Sequence, residues 1–358
     1  MCDKRLAIGD KRYATMLLNL IVFIIAAAAA AIFTPVARWA GQRFDMMAEP
    51  TGRHQHPGRI ARSGGISVFA GFILASVVAL WIAPLTNPDD VKRIAGVLIG
   101  TAFVFALGLV DDKKELSAAP QFIGQVAAAV IALIATVWIQ EVTLPFFGFR
   151  HFPWYVTYPL TILWITGMMN TVNFLDGLDG LATGVAAIAG LLFAAHMISL
   201  GQNTIALYAL AFSGACIGFL PFNFNPARIF LGSAGAMVLG YGLATLSILA
   251  PARVATALLV MSVPIADTAW QIINRWRTGR SPFTGDRGHL HFRLLDLGWP
   301  QRRIVPLYWA CCALFGALSL LLDSRLSKLA AFIVLIIVVG GLLAALSRRK
   351  PQGQKNNS

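Results

Sequence analysis

The sequence predicts an all-α, polytopic membrane protein, and three observations carry that prediction. Hydrophobic residues make up 57% of the 358-residue chain and charged residues only 13%. The mean hydropathy is +0.70. Apolar runs of bilayer length recur from end to end, and a span needs roughly 17–25 such residues. In lipid the backbone must satisfy its own hydrogen bonds, so runs of this length and lack of alternation read as helices. The composition excludes an ordinary soluble domain.

Eleven candidate helices follow in order: 16–36, 66–83, 94–110, 122–139, 158–173, 181–200, 204–220, 230–249, 255–272, 304–322 and 329–346. Polar residues blur the ends of the fifth and ninth, which carry Asn170 and Asp267. The first run follows a basic start, but it is full length and no cleavage pattern follows it, so it is expected as a retained helix. Residues 1–350 are expected to form one integral-membrane domain and 351–358 a polar tail. The four cysteines, Cys2, Cys216, Cys311 and Cys312, have neither metal-ligand spacing nor a disulfide pattern. Three of them lie in apolar runs, where a thiol behaves as a small hydrophobe.

Orientation follows from lysine and arginine. The loops after odd-numbered spans, with the C-terminal tail, hold about 19 of the 29 basic residues, which the positive-inside rule assigns to the cytoplasm. The N-terminus is then expected outside. The net charge of +13 sits in short segments beside the spans. There it suits anionic lipid or a phosphate-bearing substrate rather than nucleic acid.

The unusual polar clusters all fall on odd-numbered loops. The first loop carries Arg53, His54, His56, Arg59 and Arg62 before Gly64-Gly65, and the third opens with Asp111-Asp112. The fifth is Asn170-Thr171-Val172-Asn173-Phe174-Leu175-Asp176-Gly177-Leu178-Asp179-Gly180, and the seventh runs from Asn223 and Asn225 through Phe230 to Ser233. The ninth holds Arg287, His289, His291 and Arg293. Carboxylates and amides are hard oxygen ligands, suited to Mg²⁺ and polar substrate groups, although Asp-Gly is also plain turn chemistry. Asp111-Asp112 is either a paired-carboxylate site for metal or phosphate chemistry or a helix end solvated beside Lys113 and Lys114. Histidines at i and i+2 do not share a helix face. With the neighbouring arginines they suit a phosphate-binding loop better than a zinc site. Asp267, inside an apolar run, needs a polar neighbour, and a helix-end arginine is the expected one. His151 and His196 fall on the other side and are expected to be structural or interfacial. The chain has no G-x-x-x-x-G-K-[ST] and no G-x-G-x-x-G between strand and helix, so coupling to ATP is not expected.

Taken together, residues 45–300 resemble the polyprenyl-phosphate N-acetylhexosamine-1-phosphate transferase family. That family includes undecaprenyl-phosphate GlcNAc-1-phosphate transferases and phospho-MurNAc-pentapeptide translocases. The resemblance rests on Pro50-x-x-Arg53-x-x-His56 before Gly64-Gly65, on Asp111-Asp112, and on Asn173-x-x-Asp176-Gly-x-Asp179-Gly. It rests equally on Asn225-Pro226-Ala227-x-x-Phe230-x-Gly232 and on Ser281-Pro282-Phe283 through His289-x-His291. The external N-terminus and single His-x-His loop look like the GlcNAc-1-phosphate branch.

The resemblance implies a membrane enzyme of the bacterial inner membrane. Its polyprenyl phosphate, expected as undecaprenyl phosphate, would attack a cytosolic UDP-N-acetylhexosamine with Mg²⁺ (or Mn²⁺) as cofactor and release UMP. It implies catalytic roles for Asp111, Asp112 and Asp176 and substrate-binding roles for Arg53, His56, Asp179, Asn225, Phe230, His289, His291 and Arg293. Metal-ligand positions fall on Asn173 and Ser233. Homodimer formation is left open.

The chain departs from the family pattern at five places. Ser233 stands where an aspartate metal ligand is usual, Ala48 for an aspartate, Ala61 for a proline, Gln121 near a lysine and Phe292 for a third histidine. Ser233 raises a second reading, a catalytically impaired member that still binds UDP-sugar or lipid phosphate. A transporter is the third class. Transporters often show inverted repeats and broken spans in both halves, and no internal similarity links the halves here.

Overall fold

A computed structural model of the chain describes residues 2–48, 59–144, 148–249, 254–277, 279, 288–322 and 324–347. Thirteen helices dominate these residues: α1 Cys2–Arg43, α2 Gly65–Ile82, α3 Pro88–Lys114, α4 Ala118–Ile134, α5 Trp154–Leu175, α6 Leu181–Ser199, α7 Asn203–Asn223, α8 Gly232–Ile248, α9 Val254–Val260, α10 Ser262–Arg277, α11 Leu290–Asp296, α12 Gln301–Leu321 and α13 Arg325–Ser347. Two small antiparallel ribbons accompany them. Strands β1 (Met47–Ala48) and β2 (Ile60–Ala61) pair with Met47 opposite Ala61. Strands β3 (Glu141–Leu144) and β4 (Gly148–His151) pair with Glu141 opposite His151. The all-helical reading of the sequence did not anticipate either ribbon.

Each expected apolar run lies chiefly on helix, but the number eleven is not confirmed. Six helices among the described residues are long and apolar enough to cross a membrane: Tyr13–Arg43, Gly65–Ile82, Pro88–Lys114, Leu181–Ser199, Asn203–Asn223 and Gln301–Leu321. Three shorter apolar helices are Ala118–Ile134, Gly232–Ile248 and Leu326–Gly341. The fifth and ninth expected runs fall outside both groups. The fifth lies in α5, which buries Thr157, Thr161, Thr166 and Thr171. The ninth is broken at Met261 between α9 and α10, and α10 buries Asp267, Gln271 and Arg275. Their polar side chains, which lower the hydropathy, are turned into the protein.

Helix α8 is the axis of the bundle. Its residues from Gly232 to Ser247 are buried with the exception of Ser233, and it packs against α2, α3, α5 and α6. Small residues permit the close approach, as in other lipid-embedded helix contacts. A side chain at Gly65 would strike the backbone of Ala234 and Gly235, and one at Gly240 would strike that of Met169. Tyr241 donates its hydroxyl to Gly96 O at 3.1 Å, which ties α8 to α3. With no hydrophobic drive between helices in lipid, such packing and buried hydrogen bonds set the arrangement. The first turn of α8 is thereby fixed at one end of the bundle, beside the ends of α3, α5 and α7.

Candidate functional site

The end of α5 breaks at Asp176, whose N–H still donates to Val172 O at 3.0 Å. The chain turns through Gly177–Gly180 and re-enters helix at Leu181. Gly180 has φ +80°, a conformation that glycine adopts without strain. The turn is fastened to the loop after α7. Asp179 Oδ2 accepts from Asn225 Nδ2 at 3.0 Å and from Ala227 N at 3.1 Å. Asn225 also donates to Gln301 of α12. That same loop is stitched to the residues before α2, because Phe230 N donates to Ala61 O at 2.8 Å and Gly64 N to Phe230 O at 2.9 Å.

Asp112 ends α3 against the start of α8. Its Oδ1 accepts from Ser233 N at 2.7 Å and its Oδ2 from Ala234 N at 3.0 Å. The carboxylate therefore satisfies two of the four N–H groups that a helix N-terminus leaves open, and it meets the positive end of the helix dipole. Gly232, at φ +75°, has no room for a side chain, since a Cβ there would sit 2.9 Å from Asp112 Oδ1 and closer still to Arg62 O. Asp111 accepts from Leu116 N at 2.9 Å and from Gln121 Nε2 at 2.7 Å. Both carboxylates are 5% exposed, so the solvated helix-end reading of this pair is incorrect. They do not wall the cavity described next, but they hold two of its walls.

That cavity, about 330 Å³, lies where these ends meet. Asn173, Asp176 and Asp179 line it from the α5–α6 turn, Phe230 and Ser233 from the approach to α8, and His289 from the segment before α11. Arg62, Gln125, Asn170 and Phe174 are among its other polar and aromatic lining residues. Of the residues given catalytic, binding or metal roles from the sequence, Asn173, Asp176, Asp179, Phe230, Ser233 and His289 share the cavity, and Asn225 orients one of them. His291 is buried behind it, its ring stacked 5.6 Å from that of His289. Arg293 donates through Nε to Gly288 O at 2.6 Å. Arg53 and His56 lie outside the described residues.

Asp267 pairs differently from the expectation. Its partner is a histidine, not a helix-end arginine: Oδ2 meets His289 Nδ1 at 3.0 Å and Oδ1 accepts from Leu290 N at 2.9 Å. A carboxylate on Nδ1 fixes that nitrogen as the protonated one and leaves Nε2 as the free position. Nε2 is buried and has no hydrogen-bond partner among the described residues. His289 also stacks on Phe174, with centroids 5.3 Å apart, and Arg275 lies over the other partner of that stack, its Cζ 5.8 Å from the Phe174 centroid. Arg275 is 1% exposed.

The electrostatics of the cavity centre on Asp176. Burial pushes its carboxyl well above the usual carboxylate range, and the nearby Asp179 and Asp112 push it further, while Arg62 opposes them. Four of the five departures from the family pattern also face this space: Ala48, Gln121, Ser233 and Phe292 all line it. A ready-made cage for a metal is absent among the described residues, because no three His, Cys, Asp or Glu side chains come together suitably. Mg²⁺, however, is usually held by one or two carboxylates with waters and substrate phosphates. Asn173, Ser233 and Asp176 line one cavity and carry the amide, hydroxyl and carboxylate oxygens that such an ion takes.

Gln125, Arg275 and Gln301 were not singled out in the sequence. Gln125 accepts from Asn170 Nδ2 at 2.7 Å and so fixes an amide that lines the cavity. A glutamine in the middle of an apolar run and an arginine one turn beyond Gln271 were the available signals.

The family model described as "Glycosyl transferase family 4" matches residues 94–251. A "Probable undecaprenyl-phosphate N-acetylglucosaminyl 1-phosphate transferase" of Bacillus subtilis is 30% identical over 330 residues, covering 90% of each chain. A "Decaprenyl-phosphate N-acetylglucosaminephosphotransferase" of Mycolicibacterium smegmatis is 32% identical over 342 residues, 87% of this chain and 84% of the relative. A "Phospho-N-acetylmuramoyl-pentapeptide-transferase" of Staphylococcus saprophyticus is 31% identical over 275 residues, 72% of this chain and 83% of the relative.

Proposed function

The chain belongs to glycosyl transferase family 4, among the membrane phosphoglycosyl transferases, and from that premise we propose that it moves N-acetylhexosamine-1-phosphate, GlcNAc-1-phosphate first among candidates, from a UDP-sugar to undecaprenyl phosphate. The observation that carries this reading is convergence. Segments from the α5–α6 turn, the α8 approach and the α11 approach bring Asn173, Asp176, Asp179, Phe230, Ser233 and His289 to one cavity at the bundle end. A membrane-borne acceptor and a water-soluble donor need such a meeting point. The proposed site faces the cytoplasm, and the product starts a lipid-linked envelope glycan.

In the reaction an oxygen of the lipid phosphate bonds to the β-phosphorus of the donor. The bond from that phosphorus to its bridging oxygen breaks, and UMP departs. A phosphate monoester with a second pKa near 6 is largely dianionic at neutral pH, so little deprotonation is required. The barrier lies in bringing anions together, and preorganised charge and hydrogen bonds lower it most. In this chain Phe230 offers an aromatic face to the uracil, and Asp179, held by Asn225 and Ala227, offers acceptors to the donor. Arg62 brings positive charge to the cavity. His289 Nε2, fixed in direction by Asp267, is available to a phosphate oxygen when the ring is protonated. Asp176 in its protonated form can donate to the same oxygens. Asn173 and Ser233 would hold Mg²⁺ (or Mn²⁺), which neutralises diphosphate charge when bound.

The impaired-member reading has one observation in its favour: the cavity presents a hydroxyl at Ser233. Purified protein with UDP-GlcNAc, UDP-GalNAc or UDP-MurNAc-pentapeptide, undecaprenyl phosphate and Mg²⁺, followed by mass spectrometry of the lipid, separates the readings. Lipid-linked GlcNAc pyrophosphate with UMP is the expected product. Donor binding with no product from any donor would establish the impaired reading.

A further inference from the structure

A second cavity of about 330 Å³ opens at the same end of the bundle, between the last turns of α1 and α7. Arg38, Trp39 and Gln42 line it from α1, and Phe222, Arg228 and Ile229 from α7 and the loop that follows. Arg38 and Arg228 are both exposed, and neither has an acidic partner among the described residues. Two guanidinium groups in one groove without a counter-ion repel each other unless an anion joins them. The backbone around Arg228 is set, since its N–H donates to Phe222 O at 2.8 Å.

The position identifies the anion's chemistry. Arg38 and Trp39 sit near the carboxyl end of the candidate span Tyr13–Arg43, where a span passes from hydrocarbon to headgroups. Trp39 is 61% exposed, and tryptophan at that depth is characteristic of the membrane interface. Arginine binds phosphate oxygens through paired N–H groups, and basic pockets between spans bind anionic headgroups. We propose that this groove is a binding site for the phosphate of an anionic membrane lipid, with Arg38 and Arg228 as its ligands and Trp39 against the upper acyl chain.

The groove is separate from the transferase cavity but shares a wall with it. Ile229 lines the groove, and its neighbour Phe230 lines the transferase cavity. An occupied groove would therefore fix the short loop that carries Phe230.

Native mass spectrometry of the full chain, exchanged from detergent into equal phosphatidylglycerol and phosphatidylcholine, tests the site. Each guanidinium contributes about fivefold to anionic-lipid preference and the pair roughly 30-fold. The wild-type chain should retain phosphatidylglycerol at about that preference, and Arg38→Gln with Arg228→Gln should bring it close to one. The Lys-for-Arg double variant keeps the charge and should retain part of the preference, which separates headgroup binding from damage to the fold. Undiminished preference in a folded Gln double variant overturns the proposal. Two further arms identify the source of the phosphate. Release of the bound phosphatidylglycerol by millimolar inorganic phosphate, or its full displacement by equimolar undecaprenyl phosphate, would overturn the assignment to bulk anionic lipid.

Discussion

Replacing Ser233 with aspartate puts a charge where the cavity now has a neutral hydroxyl. Ser233 lies in the first turn of α8, and its N–H donates to Asp112 Oδ1 at 2.7 Å. The new carboxylate would join Asp176 and Asp179 in the cavity lining, with Asp112 behind its wall, and two unit charges 4 Å apart interact by about 4 kcal/mol at an effective dielectric constant of 20. Without a cation that interaction is repulsive, offset in part by the helix dipole, worth about 0.3–1 kcal/mol. With a divalent cation its sign reverses and the charge on the ion doubles it. Dehydration and the repulsion already present take back much of the gain. Since 1.4 kcal/mol is tenfold, the half-saturating Mg²⁺ concentration should fall roughly ten- to hundredfold, with turnover rising and donor affinity changing less. The assay is a Mg²⁺ titration of UMP release for both forms in one detergent, paired with thermal unfolding in EDTA. Ser233→Asp should melt lower than the parent in EDTA and recover with Mg²⁺. Equal Mg²⁺ titrations and no metal-dependent recovery would show that position 233 does not face the ion.

Asp112→Ala removes the acceptor of two N–H groups at the buried start of α8, so it should destabilise by about 1–3 kcal/mol, visible as a lower melting temperature. Asp112→Asn keeps one acceptor but turns a donor toward the second N–H, so it should recover only part of the stability, and an unchanged melting temperature for Asp112→Ala would refute the capping role. Asp179→Asn should cut turnover tenfold or more by loosening the loop held through Asn225 and Ala227; near-native activity would reduce Asp179 to a turn residue. Asp267→Asn should lower turnover, because His289 loses the carboxylate that fixes its ring and leaves Nε2 as the free position. Near-native turnover would show that this contact does not position His289. Asp176, raised by burial and its acidic neighbours, must release a proton before it can face a cation, so Mg²⁺ should bind more tightly as pH rises. Half-saturation independent of pH would exclude Asp176 from the ion's surroundings. Finally, an impermeant thiol reagent should fail to label single cysteines at positions 60 and 285 in intact cells, and strong labelling would reverse the proposed orientation.

The helical membrane architecture was legible because lipid leaves the backbone few choices and the apolar runs carry that constraint on their surface. The grouping of Asn173, Asp176, Asp179, Phe230 and His289 was legible because each sits at the end of an apolar run or on the loop between two runs, and all of these loops were read to one side. Three things were not. The break at Met261 is marked only by Pro264 in the first turn of α10, which has no N–H to donate back to residue 260, and a hydropathy window averages across it. The Asp267–His289 pair joins residues 22 apart, so neither neighbour betrays the other, and a buried carboxylate in a span matches arginine just as well. The role of Asp112 was hidden for a different reason: its partners are the backbone N–H groups of Ser233 and Ala234, and backbone groups carry no sequence signature.

The five departures differ in what they remove. Ala61 keeps its place in the small ribbon through its carbonyl, which accepts from Phe230 N, so losing a proline there leaves the cavity wall intact. Ala48, Gln121, Ser233 and Phe292 instead face the cavity itself, and each stands where the family carries a group able to bear charge. Gln121 shows how the protein accommodates the loss. Its Nε2 donates to Asp111 Oδ1 at 2.7 Å, a neutral-to-charged hydrogen bond. Ser233 cannot compensate so locally, because Asp112 is already committed to two N–H groups and Asp176 is driven toward its neutral form. The fixed charge that remains for a diphosphate is therefore small, with Arg62 its positive member. A donor bearing two negative phosphates must then bring its counter-charge with it. Under the proposed function a cation would then enter with the nucleotide sugar, and a metal requirement would report on the donor more than on the protein's own ligands.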